Sequence, residues 1–163
     1  MAVDQSNLDK RSFGVKKYVE GTLLNLKPHL KKTPHQITVS GEEQISINSY
    51  PGAFSQIVTN LVMNSVRHAY PKGETGNLRF ELELGSGYLM VKYSDDGCGI
   101  LRENREKIFE PFFTTARAQG GTGLGLHIVF NLVTQKLNGT IRCESACGQG
   151  TTFFLEIPVN GEW

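Results

Sequence analysis

The 163-residue sequence lacks most of the features that announce a protein class. Cysteine is scarce: Cys98, Cys143 and Cys147 are an odd number with no CxxC pair. That pattern argues against a disulfide framework or a zinc site, and for reduced thiols in a cytosolic protein. Charge of one sign is missing too. The 17 lysines and arginines against 16 acidic residues leave a formal net charge of +1. No broad field draws in nucleic acid or a membrane surface, so neither is expected as a partner. No apolar run approaches the roughly 18 residues that cross a bilayer. The first residues are polar, without a signal-peptide stretch. There is no repeat and no low-complexity tract. What remains is a chain expected in the cytoplasm, of a length that suits one α/β domain with a sizeable core.

Glycine, with 18 residues, is plentiful, and its placing is informative. In Gly121-Thr122-Gly123-Leu124-Gly125-Leu126 three glycines alternate with small or apolar residues. The helical apolar run Ile128, Val129, Leu132, Val133, Leu137 follows directly. Such glycines bare backbone N–H groups and let a ligand approach without Cβ clashes. A helix start beyond them adds a positive dipole end. The stretch reads either as a loop before a helix or as a cradle for an anion such as a polyphosphate.

Residues 1–11 are polar and read as a linker or frayed remnant, leaving 12–163 as the domain. From about Ser12 to Lys32, Val15, Tyr18, Val19, Leu23, Leu26 and Leu30 recur at helical steps, with Pro34 as the stop. Two strand candidates follow, Gln36–Val39 and Gln44–Ile47, on either side of Ser40-Gly41. Pro51-Gly52 reads as a turn before a helix from about Ala53 to Ala69. Leu78–Leu84 alternates strictly, which predicts a strand with one wet face. Gly85-Ser86-Gly87 turns it into a returning strand, Tyr88–Ser94. Asp95 to Gly123 is irregular, and a loop this long inside a compact domain is usually functional. A helix is expected over Leu124–Leu137, capped by Asn138-Gly139. Strands Thr140–Glu144 and Thr151–Ile157 close the chain. The predicted fold class is a two-layer α/β sandwich: a mixed, mostly antiparallel sheet covered on one face by helices.

Four segments carry chemistry. On the helix after Pro51, Val58, Leu61, Val62, Val66 and Ala69 share a face that should pack on the sheet. Asn60, Asn64, Arg67 and His68 fall on the other. Asparagine is a mediocre helix former, so two on one face need a reason. Its carbonyl is a hard oxygen ligand suited to Mg²⁺ that keeps most of its waters, and Arg67 can reach phosphate oxygens. A plain solvated face is the alternative. At the end of a strand, Asp95-Asp96-Gly97-Cys98-Gly99-Ile100 offers a carboxylate able to accept from an exocyclic amine such as adenine's, with glycines leaving room for a flat ring. An ordinary acidic turn is the alternative, and it suits Asp96 better than Asp95. Phe109, Phe112 and Phe113 around Pro111 form either a satellite core or a hinge for a lid. The glycine stretch is the fourth segment. Gly148-Gln149-Gly150-Thr151 is a minor fifth, read as a hairpin turn or as a contact on the nucleotide side.

In this order, the segments resemble the ATP-binding catalytic domain of sensor histidine kinases, a family grouped with gyrase-type topoisomerases and mismatch-repair ATPases. The resemblance covers roughly residues 13–158 and rests on four ordered motifs. Asn60-Leu61-Val62-Met63-Asn64-Ser65 matches the N box, with Asn64 at the Mg²⁺-binding asparagine. Asp95 matches the adenine-binding aspartate of D-x-G-x-G-I, which brings Gly97, Gly99 and Ile100 with it. Phe109, Phe112 and Phe113 match the F box, and Gly121, Gly123 and Gly125 the G2 box, with an ATP lid between them. Gly148 and Gly150 resemble the last glycine box. The resemblance implies ATP as substrate, ADP as product and Mg²⁺ as cofactor. It implies nucleotide contacts from these residues and from Thr115, Thr122, Leu124, Leu126 and Thr151.

Two positions depart from the pattern. Where relatives carry a lid lysine after Phe-Phe-Thr-Thr, this chain has Ala116 and then Arg117, and Arg117 is expected to touch phosphate instead. Where many relatives have lysine and tyrosine, Arg67 and His68 stand; arginine keeps the charge and gains a bidentate fork. His68 has two readings, as a nucleotide contact or as a partly buried structural histidine. The family's phosphoacceptor, a histidine followed by an acidic residue, is absent. His29, His35, His68 and His127 precede Leu30, Gln36, Ala69 and Ile128. The implied partner is thus a separate dimerising phosphoacceptor domain and, through it, a response regulator. The chain is then an excised domain or a subunit acting in trans, expected to be monomeric, from a parent that the membrane can still anchor. Relatives that hydrolyse ATP or phosphorylate serine place a glutamate where this chain has Asn60, whose carboxamide cannot take a proton. A conformational ATPase and a serine-directed kinase are therefore the weaker readings.

Overall fold

The structure, a computed structural model, describes residues 9–30, 35–71, 74–114 and 123–159. Its elements are β1 (Arg11–Gly14), α1 (Val15–Leu26), β2 (Gln36–Ser40), β3 (Ser46–Ser49), α2 (Pro51–His68), β4 (Asn77–Leu84), β5 (Tyr88–Asp95), α3 (Gly125–Asn131), β6 (Thr140–Ser145) and β7 (Thr151–Pro158). Short 3₁₀ turns cover Lys27–Leu30 and Arg102–Asn104.

The central sheet runs β2-β4-β5-β7-β6. Only β2 and β4 pair in parallel; the other neighbours are antiparallel. Leu78, Phe80 and Leu82 of β4, Leu89, Val91 and Tyr93 of β5, and Phe153, Leu155 and Ile157 of β7 all point into one core. The helices supply the opposing layer with Val15, Val19, Phe54, Ile57, Val58, Leu61, Val62, Val129 and Val133. The other sheet face stays wet. There a row set by register runs Glu81, Lys92, Phe154, Arg142, with the Arg142 guanidinium 4.0 Å from the centre of the Phe154 ring. The expected two-layer α/β sandwich is the observed one.

Several boundaries differ for local reasons. Residues 11–14 pair with β3 as a strand, so the first helix starts at Val15 rather than Ser12, and Arg11, the last residue read as linker, is part of that strand. Phe13 drives this: its ring packs edge-on against Tyr18 and Phe54. The α-helix ends at Leu26, because Pro28 cannot donate to the ladder and the chain tightens into a 3₁₀ turn. Lys32 and Pro34 lie outside the described residues. β2 and β3 do not form a hairpin; each pairs elsewhere, and β3 lies two residues further on than expected. Pro51-Gly52 is the first turn of α2, not a loop before it, since proline's fixed φ suits the first helical position. Val66 is only half-buried; Ser65 takes the fully buried place on the sheet-facing side of α2. The last helix is α-helical only to Asn131, then widens to a π turn over Leu132–Lys136. It ends where expected, with Asn138 in the left-handed region at φ 56°.

Candidate functional site

A cavity of about 390 Å³ lies between α2 and the segments 98–114 and 123–126. That volume fits a small-molecule ligand. One wall is the polar face of α2. Asn60, Asn64, Arg67 and His68 all line it, so the asparagine face is turned to a cleft and not to open solvent. Gly99, Ile100, Phe113, Gly123, Gly125 and Leu126 form the facing walls. Gly125 lacks the Cβ that would sit 3.5 Å from Oδ1 of Asn60. Thr115, Arg117, Gly121 and Thr122, and with them most of the expected lid, lie outside the described residues.

Burial, and the neighbouring Arg67 charge after it, lowers the pKa of His68, which favours a neutral imidazole. Its Nε2 lies 3.5 Å from the Thr114 hydroxyl, which links the two walls. The wall carries no carboxylate among its described residues.

Asp95 and Asp96 part company. Asp96 is structural. Its carboxylate accepts from the Tyr70 hydroxyl at 2.6 Å and from the Asn77 backbone and side chain at 2.9 and 3.0 Å. Burial works to raise its pKa, and these hydrogen bonds outweigh it, for a net lowering. Asp95 is 8% exposed and is not among the residues that line the cavity. Its Oδ2 accepts from Ser65 at 2.8 Å and its Oδ1 from the Gly97 N–H at 3.0 Å. Burial raises its pKa in spite of these donors. The local turn bond, from the N–H two residues on, is made by Asp95, while Asp96 ties the loop to Tyr70 and Asn77.

The glycines of this loop have close backbone neighbours, and Gly99 also lines the cavity. A Cβ on Gly97 would run into Ala69, and one on Gly99, at φ +78°, into the Ala146 carbonyl. Their bareness lets the protein's own backbone close up: Cys98 N donates to the Ala69 carbonyl and Gly148 N to the Cys98 carbonyl, both at 2.8 Å. Gly150 is bare for the same reason, against the Asp95 carbonyl. Thr151 is buried beside Asp95 and bonds to Ser145, away from the cavity.

The three phenylalanines have three fates. Phe109 joins the core against Phe130 and Phe153, and its carbonyl takes a hydrogen bond from Nδ1 of His127 at 3.1 Å. Phe112 is 62% exposed and in the left-handed region at φ 67°. Phe113 lines the cavity. Leu124 does not line it. Cys98, Leu101, Asn104 and Ile108 also line the cavity without having been singled out; Ile108, at 6% exposure, was legible only as one hydrophobe in an irregular stretch.

Fold and cleft together define a two-layer α/β domain with a polar helix face opposed to glycine-bearing turns. The chain belongs to the family described as histidine kinase-, DNA gyrase B- and HSP90-like ATPase, whose model matches residues 50–161. It is 36% identical over 157 residues to the sensor histidine kinase AruS of Pseudomonas aeruginosa, a match covering 89% of this chain and 15% of that protein. It is 40% identical over 117 residues to the sensor histidine kinase ZraS of Klebsiella oxytoca, covering 71% and 24%. The chain thus spans less than a quarter of the length of these relatives. The nucleotide-free catalytic domain of histidine kinase ThkA superposes with a TM-score of 0.79 at 26% identity, covering 93% of this chain and 96% of that one.

Proposed function

We propose that this chain binds Mg²⁺-ATP in the cleft and transfers its γ-phosphoryl group to a histidine of a separate dimerisation and phosphoacceptor domain, which passes it to a response regulator. The observation that carries the reading is the convergence of Asn60, Asn64, Arg67 and His68 on one cavity opposite Gly123 and Gly125. In this reading Arg67 holds phosphate oxygens by its fork, Asp95 takes the adenine amine, and Ile100 and Phe113 flank the base.

The donor set suits magnesium. Among the described residues no group of three or more His, Cys, Asp or Glu side chains could hold a metal ion. Asn64 offers a single hard amide oxygen, which fits an ion that keeps waters and takes its other ligands from phosphate. When bound, Mg²⁺ supplies neutralisation of triphosphate charge. The chain's own residues position and desolvate. Transfer to a neutral imidazole needs no added base, because its lone pair is already free at neutral pH. The carboxylate-free wall and the carboxamide of Asn60 favour this over activation of water. The hydrolytic and serine-directed readings stay behind it on that ground.

Two measurements test the proposal. Asn64→Asp should weaken Mg²⁺-ATP binding by about tenfold or more in titration calorimetry, since a charge replaces an amide beside the triphosphate; an unchanged titration removes the metal role. Incubation with labelled ATP and a separately purified phosphoacceptor domain should label that domain's histidine and not this chain. Fast ATP hydrolysis without an acceptor would instead support the ATPase reading.

A further inference from the structure

A buried chain of hydroxyls ends on the Asp95 carboxylate. Tyr93 is fully buried on β5, two residues before Asp95, and its hydroxyl lies 2.7 Å from Ser65 Oγ. Ser65, 1% exposed on α2, lies 2.8 Å from Asp95 Oδ2. A helical serine ordinarily turns its proton back to the carbonyl one turn earlier; here it reaches across to the sheet. The direction of the chain follows from the end group. An ionised carboxylate only accepts, so Ser65 must donate to Asp95, and Tyr93 must then donate to Ser65. Both hydroxyl protons are used.

Protonation of Oδ2 would reverse the order. The acid would donate to Ser65, and the Ser65 proton, deprived of the carboxylate, would have to turn to another acceptor. A hydrogen bond left unmade at a buried site is costly. The relay therefore opposes the burial that works against the charge on Asp95. Ser65 and Gly97 N–H use two of the carboxylate's roughly four acceptor sites. Acceptor capacity remains, and no donor.

We propose that Tyr93 and Ser65 are positioning residues for base recognition: their relay locks Asp95 as a pure acceptor that takes the amino group of adenine and refuses the keto oxygen of guanine. This rests on the proposed reading of the cleft as an ATP site. Asp96, Tyr70, Tyr93, Cys98 and Cys143 are titratable groups coupled to Asp95. Ser65 and Gly97 N–H reach its carboxylate as neutral donors.

The test measures ATP and GTP affinity of the chain at a mildly acid and a mildly alkaline pH, because burial raises the pKa of the Asp95 carboxyl. The unaltered chain should prefer ATP equally at both. Tyr93→Phe should lower the preference about fivefold at the acid end and recover it at the alkaline end, and Ser65→Ala should lower it about tenfold. A loss of melting temperature with preference and pH profile unmoved in both variants would reduce the relay to core packing and overturn the proposal. Asp95→Asn separates the two levels. Loss of preference at both pH values supports the base contact on which the relay acts. Retention of the preference overturns the adenine reading of Asp95, and the relay with it.

Discussion

The two walls of the cleft are built on different principles. The α2 wall is one continuous helix of 18 residues, Pro51–His68, whose buried side lies on the sheet from Phe54 to Ser65. Its polar residues are held in place by the packing of the face behind them. The opposite wall, 98–114 with 123–126, reaches the core only at separate side chains such as Ile108, Phe109 and Leu126. It is a chain of turns held by single backbone bonds, by bare glycines, and by Phe112 in a conformation that costs an L-residue about 1–2 kcal/mol. One wall owes its shape to burial, the other to backbone geometry. Substitutions should damage them in different currencies: global stability for the first, ligand affinity for the second.

The largest expected effect breaks the helical wall. Leu61 is wholly buried between α2 and the sheet and sits beside Asn60. Leu61→Ala should cost about 2–5 kcal/mol of unfolding free energy in chemical denaturation, through lost transfer energy and the cavity left behind. Nucleotide affinity of the folded fraction should change little, because the replacement leaves the polar face in register. Equal losses of stability and affinity would show that the two faces of α2 are not separable.

A smaller loss of stability with a larger loss of binding is expected on the other wall. Gly99→Ala places a methyl against the Ala146 carbonyl at a residue with φ +78°. Strain of this kind costs of order 1–3 kcal/mol, and the loop can relieve it only by pulling away from the β6–β7 turn. Gly99 and Ile100 line the cavity, so ATP affinity should drop more than the stability loss alone would give. Calorimetric titration of the folded variant checks this; a normal affinity would mean that the turn wall is not part of the site.

The contrast also explains what could be read from the sequence. The α2 wall was legible because 3.6-residue periodicity separates a packed face from a polar one, and the polar residues found there are those the pattern put there. Val66 packs against the core while only half-buried, and Ser65 was not picked out on that face because a serine with two buried partners on other elements looks like any polar residue. The strands Asn77–Leu84 and Tyr88–Asp95 were legible for the same reason with period two. The turn wall was not. Glycines at 97 and 99 announce bareness but not what fills the space, which here is Ala69 and Ala146 backbone, residues distant in sequence. Three phenylalanines in five residues announce hydrophobicity but not their three separate destinations. β1 was hidden because Arg11–Gly14 is a strand only through its pairing with Ser46–Ser49.

The smallest effect lies at the seam, where α2 gives way to the loop before β4. His35 stacks on Tyr70 at 4.6 Å, and its Nδ1 accepts the Gly76 N–H at 2.8 Å. Its Nε2 is buried with no hydrogen-bond partner among the described residues. Tyr70 and Asn77 in turn hold Asp96, next to Asp95. A protonated ring could not accept from Gly76, so this arrangement requires a neutral His35. Burial lowers its pKa, and the Asp96 charge opposes that in part. The sign follows: a base with a depressed folded-state pKa contributes stability that is present above the unfolded value of about 6.5 and is lost as pH falls through the folded one. His68 carries the same sign from the helical wall. Unfolding free energy should therefore decline on the acid side with contributions from both. His35→Phe keeps the stacking on Tyr70 but removes the titration, and should reduce the acid-side slope by at most about one proton while leaving the His68 contribution in place. An unchanged slope would mean that the seam does not respond to protonation, and that the helical wall alone accounts for the acid sensitivity of the site.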